Sequence, residues 1–454
     1  MKSINPYNNE VLKEYEDHTQ EQVNEGIEKA HRAFLEWRET GFSERSKLMH
    51  KAANVLNDNK EKYAKIISLE MGKVIKEARA EVEKCAWVCE YYADKAAGFL
   101  ADTPLEMPDN KKAKIVYNPL GVILAVMPWN FPFWQVFRFA APNLMAGNTG
   151  LLKHASNVPQ CAMAIEEIFR EAGFPDGAFQ SFLISSDLVE SIIQHKYVMA
   201  ATLTGSEKAG QIVASQAGSE LKKTVLELGG SDPFIVLKDA DIDKAAKAAA
   251  KSRMINFGQS CIAAKRFIIE DAVYDEFVSV FQQEIKGLKQ GEQLQENADY
   301  ACMARADLAA DLYEQVKKCI DMGAKVIMEG EKPKKDSAFF KPYILENISQ
   351  DMPAYKEELF GPVASLFKVK DENEAIEIAN DSKFGLGASL WTNDAEKADR
   401  LARKIESGAV YINELVASSP YLPFGGIKSS GYGRELAETG IKEFVNKKTV
   451  SIGQ

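Results

Sequence analysis

The sequence predicts an α/β protein built from two doubly wound α/β domains with a small β extension. Short apolar strands alternate with helical segments from about residue 113 to 237, which is typical of a parallel sheet covered by helices. A second alternation begins near residue 241. The length of 454 residues also exceeds what one compact core usually holds.

The elements follow in order along the chain. Residues 20–100 have apolar side chains at spacings of three and four, which predicts amphipathic helices. The apolar run at 121–128 has the length of a buried strand, and a helix is expected at about 273–289. The last segment, EFVNKKTVSIGQ, resembles a strand with no helix after it. We expect this unpaired strand to pair with another subunit.

Composition excludes several classes of protein. The hydrophobic content of 46% and charged content of 27% are those of a folded globular chain. The net charge of −10 is spread without acidic or basic blocks, so nucleic acid is not an expected partner. The longest apolar run is too short to cross a membrane, and the first residues do not resemble a targeting signal. We therefore expect a cytoplasmic protein without a membrane span.

The cysteines and histidines indicate neither disulfides nor a metal. Six cysteines in a chain of this length fit a reducing compartment. Cys85 and Cys89 lie four apart in a helical pattern and are expected to be buried thiols. None of the five histidines stands in a metal-binding motif, so no metal is predicted.

Three residues are candidates for chemistry, each with a simpler alternative. Cys261 lies in a glycine-containing loop between a helix and a strand, although an isolated cysteine is more often a packing residue. Glu227 ends an apolar strand, where burial would favour a protonated carboxyl, or a salt bridge would hold it. Asn130 lies between a strand and a helix with Pro132 in its first turn, so it is a candidate site residue or a helix cap.

The glycine pattern gives weak evidence for a dinucleotide. The GxGxxG motif is absent, and its nearest match, Gly431-Tyr-Gly433, lies in a Ser/Gly-rich segment predicted to be a loop. Thr204-Gly205-Ser206 follows a strand, with Gly210 one turn into the next helix. Such a helix N-terminus suits a phosphate, and an ordinary serine cap explains it equally well.

Six motifs together carry a resemblance that no single residue does. PWNFP, LTGS, LELGGSDPFIV, GQSC, EELFGPV and PFGGIKSSGYGRE stand in the order and at the separations found in the aldehyde dehydrogenase superfamily. The chain resembles this family over essentially its whole length, and within it the succinate semialdehyde dehydrogenases. The resemblance implies Rossmann-like domains with these limits: an NAD(P)-binding domain at 1–100 and 120–228, a catalytic domain at 229–430, and an oligomerisation β-extension at 101–119 and 440–454.

The resemblance also implies a mechanism. Cys261, as a thiolate, attacks the aldehyde. The side-chain amide of Asn130 and the backbone N–H of Cys261 hold the oxyanion. Glu227 activates the water that releases the acid, and Glu435 is implied as a proton relay.

Cofactor residues are implied in the same way. Lys153 and Ser156 would contact the adenosine ribose. The other implied cofactor contacts are Trp129, Gly205 and Ser206 on the adenosine and pyrophosphate side, Glu358 and Phe360 at the nicotinamide end, and Gly229. Many NAD-preferring relatives have a glutamate where this chain has Ser156, and a glutamate would repel a 2′-phosphate. We therefore expect NADP to be accepted, with NAD as the other candidate cofactor.

Arg138 indicates the substrate class. Its helix is apolar nearly all round, so the guanidinium needs an anionic partner, either a substrate carboxylate or a protein carboxylate. Helical spacing places Trp134 on the same face, and the resemblance implies that Arg138 binds the far carboxylate of the substrate, with Ser418 and Ser419 adding hydrogen bonds. Relatives often have a second arginine where this chain has Ile255.

The predicted reaction is oxidation of succinate semialdehyde to succinate by a homodimer or homotetramer. A broader aldehyde or glutarate semialdehyde dehydrogenase is one alternative, and a catalytically silent structural homologue is another. Acylating relatives, which make acyl-CoA, lack the water-activating glutamate. Ala263 stands where several relatives have a second cysteine, so no local disulfide is expected.

Overall fold

The computed structural model describes residues 1–108 and 111–453. Residues 109 and 110 of the predicted extension 101–119, and residue 454 of the predicted extension 440–454, lie outside the described residues.

Amphipathic helices cover the N-terminal region as the spacing predicts. In the first helix the buried residues recur every three or four positions, and Thr19 forms a capping box with Gln22 at its start. The helices are α1 (Gln20–Trp37), α2 (Phe42–Asp58), α3 (Lys60–Met71), α4 (Ile75–Phe99), α5 (Trp134–Ala146), α6 (Pro159–Ala172), α7 (Val189–Gln194), α8 (Glu207–Ser219), α9 (Ile242–Met254), α10 (Tyr274–Gly287), α11 (Ala306–Asp321), α12 (Pro353–Lys356), α13 (Glu372–Asn380), α14 (Ala395–Ala402) and α15 (Ala437–Ile441).

The strands form two large sheets and smaller ones. They are β1 (Lys2–Ile4), β2 (Val11–Glu14), β3 (Thr103–Leu105), β4 (Lys112–Pro119), β5 (Val122–Met127), β6 (Thr149–His154), β7 (Phe179–Ser181), β8 (Val198–Thr204), β9 (Lys223–Glu227), β10 (Pro233–Val236), β11 (Arg266–Glu270), β12 (Lys325–Met328), β13 (Tyr343–Glu346), β14 (Val363–Val369), β15 (Phe384–Gly385), β16 (Gly387–Trp391), β17 (Ala409–Ile412), β18 (Ile427–Lys428), β19 (Gly431–Tyr432) and β20 (Val445–Ile452).

Both large sheets are mostly parallel, as the alternation of strands and helices predicts. The first has the order β19-β9-β8-β5-β6-β7, and its edge strand β19 is antiparallel. The second has the order β12-β13-β14-β11-β10-β16-β17, and its edge strand β12 is antiparallel. The order of the first sheet reverses at β5, so the carboxyl ends of β5, β6, β8 and β9 meet at one edge, where α/β sheets bind ligands. The exact domain limits stay a prediction.

Two local predictions are wrong. The terminal strand β20 is not unpaired, because it forms an antiparallel ladder with β4 of the same chain, from Val445 opposite Pro119 to Ile452 opposite Lys112. The Gly431-Tyr-Gly433 segment begins as strand β19 rather than as a loop, with Gly431 opposite Glu227. Partners so far away in sequence leave no local signal in either segment.

A buried acid fixes the start of α5, the helix that carries Arg138. The backbone N–H groups of Phe133 and Trp134 donate to Oε1 of Glu81 at 2.8 and 3.0 Å. The other oxygen of Glu81 accepts from Nζ of Lys73 at 2.6 Å, and both side chains are buried. A carboxylate near a helix N-terminus binds free amide groups and favours the helix dipole. Helix α4 therefore sets the position of α5.

We predict that Glu81→Ala destabilises the protein by about 3–5 kcal/mol, because it leaves Lys73 buried without its partner. Glu83→Ala is the control, since Glu83 pairs with Lys60 at the surface and exposed pairs contribute about 0–1 kcal/mol. Thermal unfolding of both variants measures the difference. Equal midpoints for the two variants would contradict the role of Glu81.

Candidate active site

A cavity of about 550 Å³ brings several predicted site residues together. Helices α4 and α5, the Cys261 loop and the segment before Pro420 form its walls. Of the predicted residues, Cys261, Arg138, Trp134 and Ser418 line it. Much of the remaining wall is apolar, with contributions from Phe131, Met254, Ile255, Ile262, Leu288 and Phe424.

The loop before Cys261 is held in a strained conformation. Asn256, Phe257 and Gly258 have φ values of 51°, 54° and 75°, and left-handed backbone costs about 1–2 kcal/mol at a residue other than glycine. Gly258 is required here, because a Cβ atom would lie 2.4 Å from the carbonyl group of Gly361. The carbonyl of Gly258 accepts from Arg253 at 2.7 Å, and the N–H of Asn256 donates to Glu77 at 2.9 Å. These contacts fix the loop that presents the thiol.

Two opposing effects act on the pKa of the Cys261 thiol. Burial raises the pKa of its thiol to about 12, while the cations of Arg138 and Lys265 lower it. The ammonium group of Lys265 donates to the carbonyl of Cys261 at 2.8 Å. In this state the thiol keeps its proton at neutral pH, so attack on an aldehyde requires a base to remove it.

Asn130 is bound to the Cys261 loop. Its Nδ2 donates to the carbonyl of Gln259 at 3.0 Å, and its Oδ1 accepts from Gln135 at 3.0 Å. The alternative that Asn130 caps the helix is wrong, because Glu81 binds the free amides there. Pro132 likewise precedes the helix, which begins at Trp134. The amide of Asn130 has a second N–H, which is available for an oxyanion.

Glu227 ends β9 and is buried, with 2% of its surface exposed. Its two carboxyl oxygens have no hydrogen-bond partner within the described part of the chain. Burial raises the pKa of this carboxyl well above its usual value, and the nearby Glu435 adds to the rise, while Arg138 opposes it. The structure does not bring Glu227 into the wall of the cavity. Its buried surroundings therefore favour the protonated form, and the carboxyl must lose that proton before it acts as a base.

Arg138 has a protein partner and still borders the cavity. Its Nε forms an ion pair with Glu435, and the two side chains are 3% and 7% exposed. Its guanidinium lies 4.6 Å over the ring of Phe424. Burial raises the pKa of Glu435, and Arg138 opposes that rise. Arg138 can therefore pair with Glu435 and still face a substrate carboxylate in the cavity. The relay role of Glu435 stays a prediction.

Trp134 and Ser418 form a polar corner of the cavity with a residue that the sequence patterns missed. The Nε1 of Trp134 donates to Oγ of Ser418 at 2.9 Å, and Nζ of Lys84 donates to the same oxygen at 2.9 Å. Ser419 is not part of this corner, because it does not line the cavity and its hydroxyl accepts from the N–H of Tyr421. The only sequence signal for Lys84 was its helical spacing from Lys76 and Ala80, which also line the cavity.

The predicted cofactor residues follow the carboxyl ends of neighbouring strands. Trp129 comes after β5, Lys153 lies near the end of β6, Gly205 follows β8 and Gly229 follows β9. Ser156 is exposed just beyond β6. Lys153 is half-buried and has no carboxylate partner within the described residues, and burial lowers its pKa. A cation and a helix N-terminus at the switch point of the sheet fit a dinucleotide phosphate.

The turn after β8 contains a serine cap and also leaves open space at the start of α8. Ser206 caps α8 by accepting from the N–H of Ala209 at 3.3 Å. A Cβ atom on Gly210 would lie 2.6 Å from the side chain of Leu228, so this glycine allows close packing of α8 on the sheet. The space around Gly205 is open except for Leu203, which leaves room for a ligand.

The other end of the predicted cofactor site is built around Glu358. Its Oε1 accepts from the N–H of Gly230 at 3.1 Å and lies 3.2 Å from Nζ of Lys265. Gly229 must be glycine, because a Cβ atom there would lie 2.5 Å from the Glu358 carboxylate. The rings of Trp129 and Phe360 meet edge to face at 5.8 Å. These contacts position Glu358 and Phe360 beside the loop that follows β9.

Across 1–108 and 111–453 no group of three or more histidine, cysteine, aspartate or glutamate side chains is arranged to hold a metal ion. In the same part of the chain no helix has the length and apolar character needed to cross a membrane.

The sequence profile of the aldehyde dehydrogenase family matches residues 1–450. The chain belongs to the aldehyde dehydrogenase family. A probable succinate-semialdehyde dehydrogenase [NADP(+)] of Synechocystis sp. is 50% identical, with 99% of each chain covered. Succinate-semialdehyde dehydrogenase [NADP(+)] 1 of Mycobacterium tuberculosis is 47% identical, again over 99% of each chain. The structure of a succinic semialdehyde dehydrogenase from Streptococcus pyogenes with NADP+ superposes with a TM-score of 0.97, at 43% identity and with 100% of both chains covered.

These similarities confirm the predicted family and fold class of this aldehyde dehydrogenase. The predicted residue roles are supported by the geometry described above and stay predictions. Cys261, Arg138, Trp134 and Ser418 share one cavity, and Asn130 is bound to its nucleophile loop. Glu227 and Glu435 lie beside Arg138, and the predicted cofactor residues lie along the sheet edge.

For this aldehyde dehydrogenase we predict that Glu227→Gln permits hydride transfer but blocks release of the acid, because an amide does not accept the proton of the attacking water. Stopped-flow measurement of reduced cofactor should show a burst followed by a much slower steady state. Glu443→Gln is the control, since it removes another charge near Glu227 without altering the proposed base. A folded Glu227→Gln protein with no burst would count against the assignment.

Proposed function

We propose that this enzyme oxidises succinate semialdehyde to succinate, with NADP as the preferred hydride acceptor. The observation that carries the proposal is the guanidinium of Arg138 in the wall of the cavity that contains Cys261. A cation there gives the substrate carboxylate a partner while the aldehyde group meets the thiol. The names of the relatives point to the same substrate and cofactor.

The residues account for each step of the reaction. The sulfur of Cys261, once deprotonated, forms a C–S bond with the aldehyde carbon, and the carbonyl electrons move to oxygen. The amide of Asn130 and the backbone N–H of Cys261 donate to that oxyanion. The bound nicotinamide supplies the hydride acceptor. Glu227, as a carboxylate, then takes a proton from the water that attacks the thioester carbon, and the C–S bond breaks to restore the thiolate.

Arg138 and Glu435 provide a route for the proton taken by Glu227. Burial and the neighbouring Glu435 favour the protonated form of Glu227. Glu435 is itself ion-paired with Arg138. Because the charge of Glu435 raises the proton affinity of Glu227, a proton on Glu435 favours ionisation of Glu227. We propose that Glu227 and Glu435 pass the proton of the attacking water toward solvent.

The apolar part of the cavity favours a second, weaker activity on uncharged aldehydes. The side chains of Phe131, Phe424 and Met254 offer a hydrocarbon surface beside Cys261. Such a surface discriminates poorly between chains that differ by one methylene, about 1–3 kcal/mol. Glutarate semialdehyde and simple aldehydes are therefore expected to react with lower kcat/KM.

The assembly and location are proposals as well. The two outer strands β3 and β20 of the three-stranded sheet are almost entirely exposed. Exposed strand edges favour pairing between chains, so we propose that this sheet joins subunits into a homodimer or homotetramer. The six cysteines are all free, which fits a reducing compartment such as the cytoplasm.

A substrate panel with each cofactor tests the proposed function. We expect succinate semialdehyde with NADP to give the highest kcat/KM, followed by glutarate semialdehyde and then butanal. A preference for uncharged aldehydes would contradict the substrate assignment, and the absence of cofactor reduction with every aldehyde would indicate a catalytically silent homologue.

We predict that Arg138→Ala lowers kcat/KM for succinate semialdehyde more than for butanal, by a difference of about 1.5–3 kcal/mol for a lost charged hydrogen bond. Both substrates suffer from the loss of the Glu435 partner, so the difference between them isolates the carboxylate contact. Steady-state kinetics on the two aldehydes provide the measurement. Equal losses would mean that Arg138 only supports Glu435 and the fold.

We predict that Ser156→Glu shifts the cofactor preference toward NAD by about 5- to 10-fold, because unit charges 4 Å apart in water repel by about 1 kcal/mol and the 2′-phosphate carries more than one charge. Ser156→Gln is the control, since it has the same size without the charge. The ratio of kcat/KM with NADP to that with NAD is the measurement. The same shift in both variants would show a steric effect.

A further inference from the structure

Lys84 places an ammonium group at the cavity wall. It lies on the face of α4 that lines the cavity, and its Nζ donates to Oγ of Ser418. The same nitrogen lies 4.2 Å over the ring of Trp134. An indole face and a hydroxyl hold a cation in place but do not neutralise it.

Two other lysines near this site have carboxylate partners. Lys73 pairs with Glu81, and Lys76 pairs with Asp299, each at 2.6 Å. Lys84 forms no such ion pair with any residue that the structure describes. A half-buried cation is costly when it lacks an anion, and the face that Lys84 leaves open is the cavity.

The hydroxyl of Ser418 adds a donor at the same point. Its oxygen accepts from both Lys84 and Trp134, which uses its two lone pairs. The hydroxyl proton of Ser418 is then left to donate. Lys84 has two further N–H groups, because an ammonium group has three donors and one binds Ser418. Two N–H groups of Lys84 and the O–H group of Ser418 are therefore free to donate hydrogen bonds beside Trp134.

Ile255 also lines the cavity. Its apolar side chain cannot bind a carboxylate. Arg138 shares its charge with Glu435, so it is not a full countercharge for a substrate anion. A substrate carboxylate in this cavity therefore gains from a second cation, and Lys84 on α4 supplies one.

We propose that Lys84 binds the far carboxylate of the substrate together with Arg138, with Ser418 donating a hydrogen bond to it. This inference rests on the proposed function, because it deepens the recognition of a carboxylate-bearing aldehyde. Lys84 is a specificity-determining residue in this account. It takes no part in the chemistry at Cys261.

The charge of Lys84 gives the substrate preference a pH dependence. Burial and the like charge of Arg138 together lower the pKa of its ammonium group to about 8, while Glu81 opposes the shift. A lowered pKa means that the cation is present below pH 8 and is lost as the pH rises through that value. The charged and titratable groups around the cavity come from every element that packs against it. They are Lys76, Glu77, Glu81 and Cys85 on α4, Arg138 on α5 with its partner Glu435, Lys247 and Lys251 on α9, Cys261 on its loop, Glu284 on α10, and Asp299.

The ratio of kcat/KM for succinate semialdehyde to kcat/KM for butanal isolates Lys84 from the catalytic groups. Both substrates need the same forms of Cys261 and Glu227, so those titrations cancel in the ratio. We expect the ratio of the wild-type enzyme to fall as the pH rises through about 8. Wild-type preference for butanal at every pH would contradict the proposed function itself, separately from the role of Lys84.

Three variants test the proposal. Lys84→Met keeps the apolar stem and removes the charge, and should lower the ratio about tenfold at pH 7, mainly through KM for succinate semialdehyde. Lys84→Arg should restore the ratio and keep it constant through pH 8, because arginine stays protonated there. Lys251→Met is the matched control, since it removes an exposed cation from the same cavity.

The outcomes are distinct. A selective loss in Lys84→Met with rescue by Lys84→Arg supports direct carboxylate binding. An equal loss in Lys251→Met would show that only the general positive field matters and would overturn the proposal. Equal losses on both aldehydes, or a pH dependence of the ratio that persists in Lys84→Met, would also overturn it. Direct binding of succinate, measured by calorimetry, should weaken in Lys84→Met and recover in Lys84→Arg.

Discussion

The buried ion pair between Arg138 and Glu435 is the interaction on which the site depends. Arg138 lowers the pKa of Cys261, of Glu227 and of Glu435 at the same time. Burial still raises the pKa of all three groups, so the guanidinium offsets only part of an environment that favours their protonated forms. This one cation thus lowers the cost of ionising a nucleophile and a base in the same apolar interior, and it borders the cavity that lies beside Cys261.

Helix α4 holds the parts of this site together. Glu81 binds the start of α5, which carries Arg138, and Glu77 binds the strained turn that leads to Cys261. One turn further along, Lys84 reaches the segment around Ser418. The distances between nucleophile, guanidinium and substrate pocket are therefore set by one rigid helix. A rigid support of this kind is what preorganised catalysis requires.

The sequence predicted those features that have a local signal. The strand ending at Glu227 and the loop containing Cys261 follow from hydrophobic runs and breaker residues, and the family motifs implied their roles. The partner of β20 was missed, because it depends on pairing with a strand more than 300 positions earlier. Lys84 was missed for the same reason, since its contact with Ser418 spans 334 positions. Periodicity shows which face of a helix is apolar but not which distant loop it meets.

The covalent step at Cys261 is the central claim, and trapping its intermediate tests it most directly. Glu227→Gln enzyme would be mixed with NADP and succinate semialdehyde, quenched in acid and digested for mass spectrometry. We expect a succinyl group on the peptide that contains Cys261, in an amount equal to the NADPH formed. The double variant that also carries Cys261→Ala should show no adduct. Formation of NADPH with Cys261 unmodified, or with the adduct on another cysteine, would contradict the account.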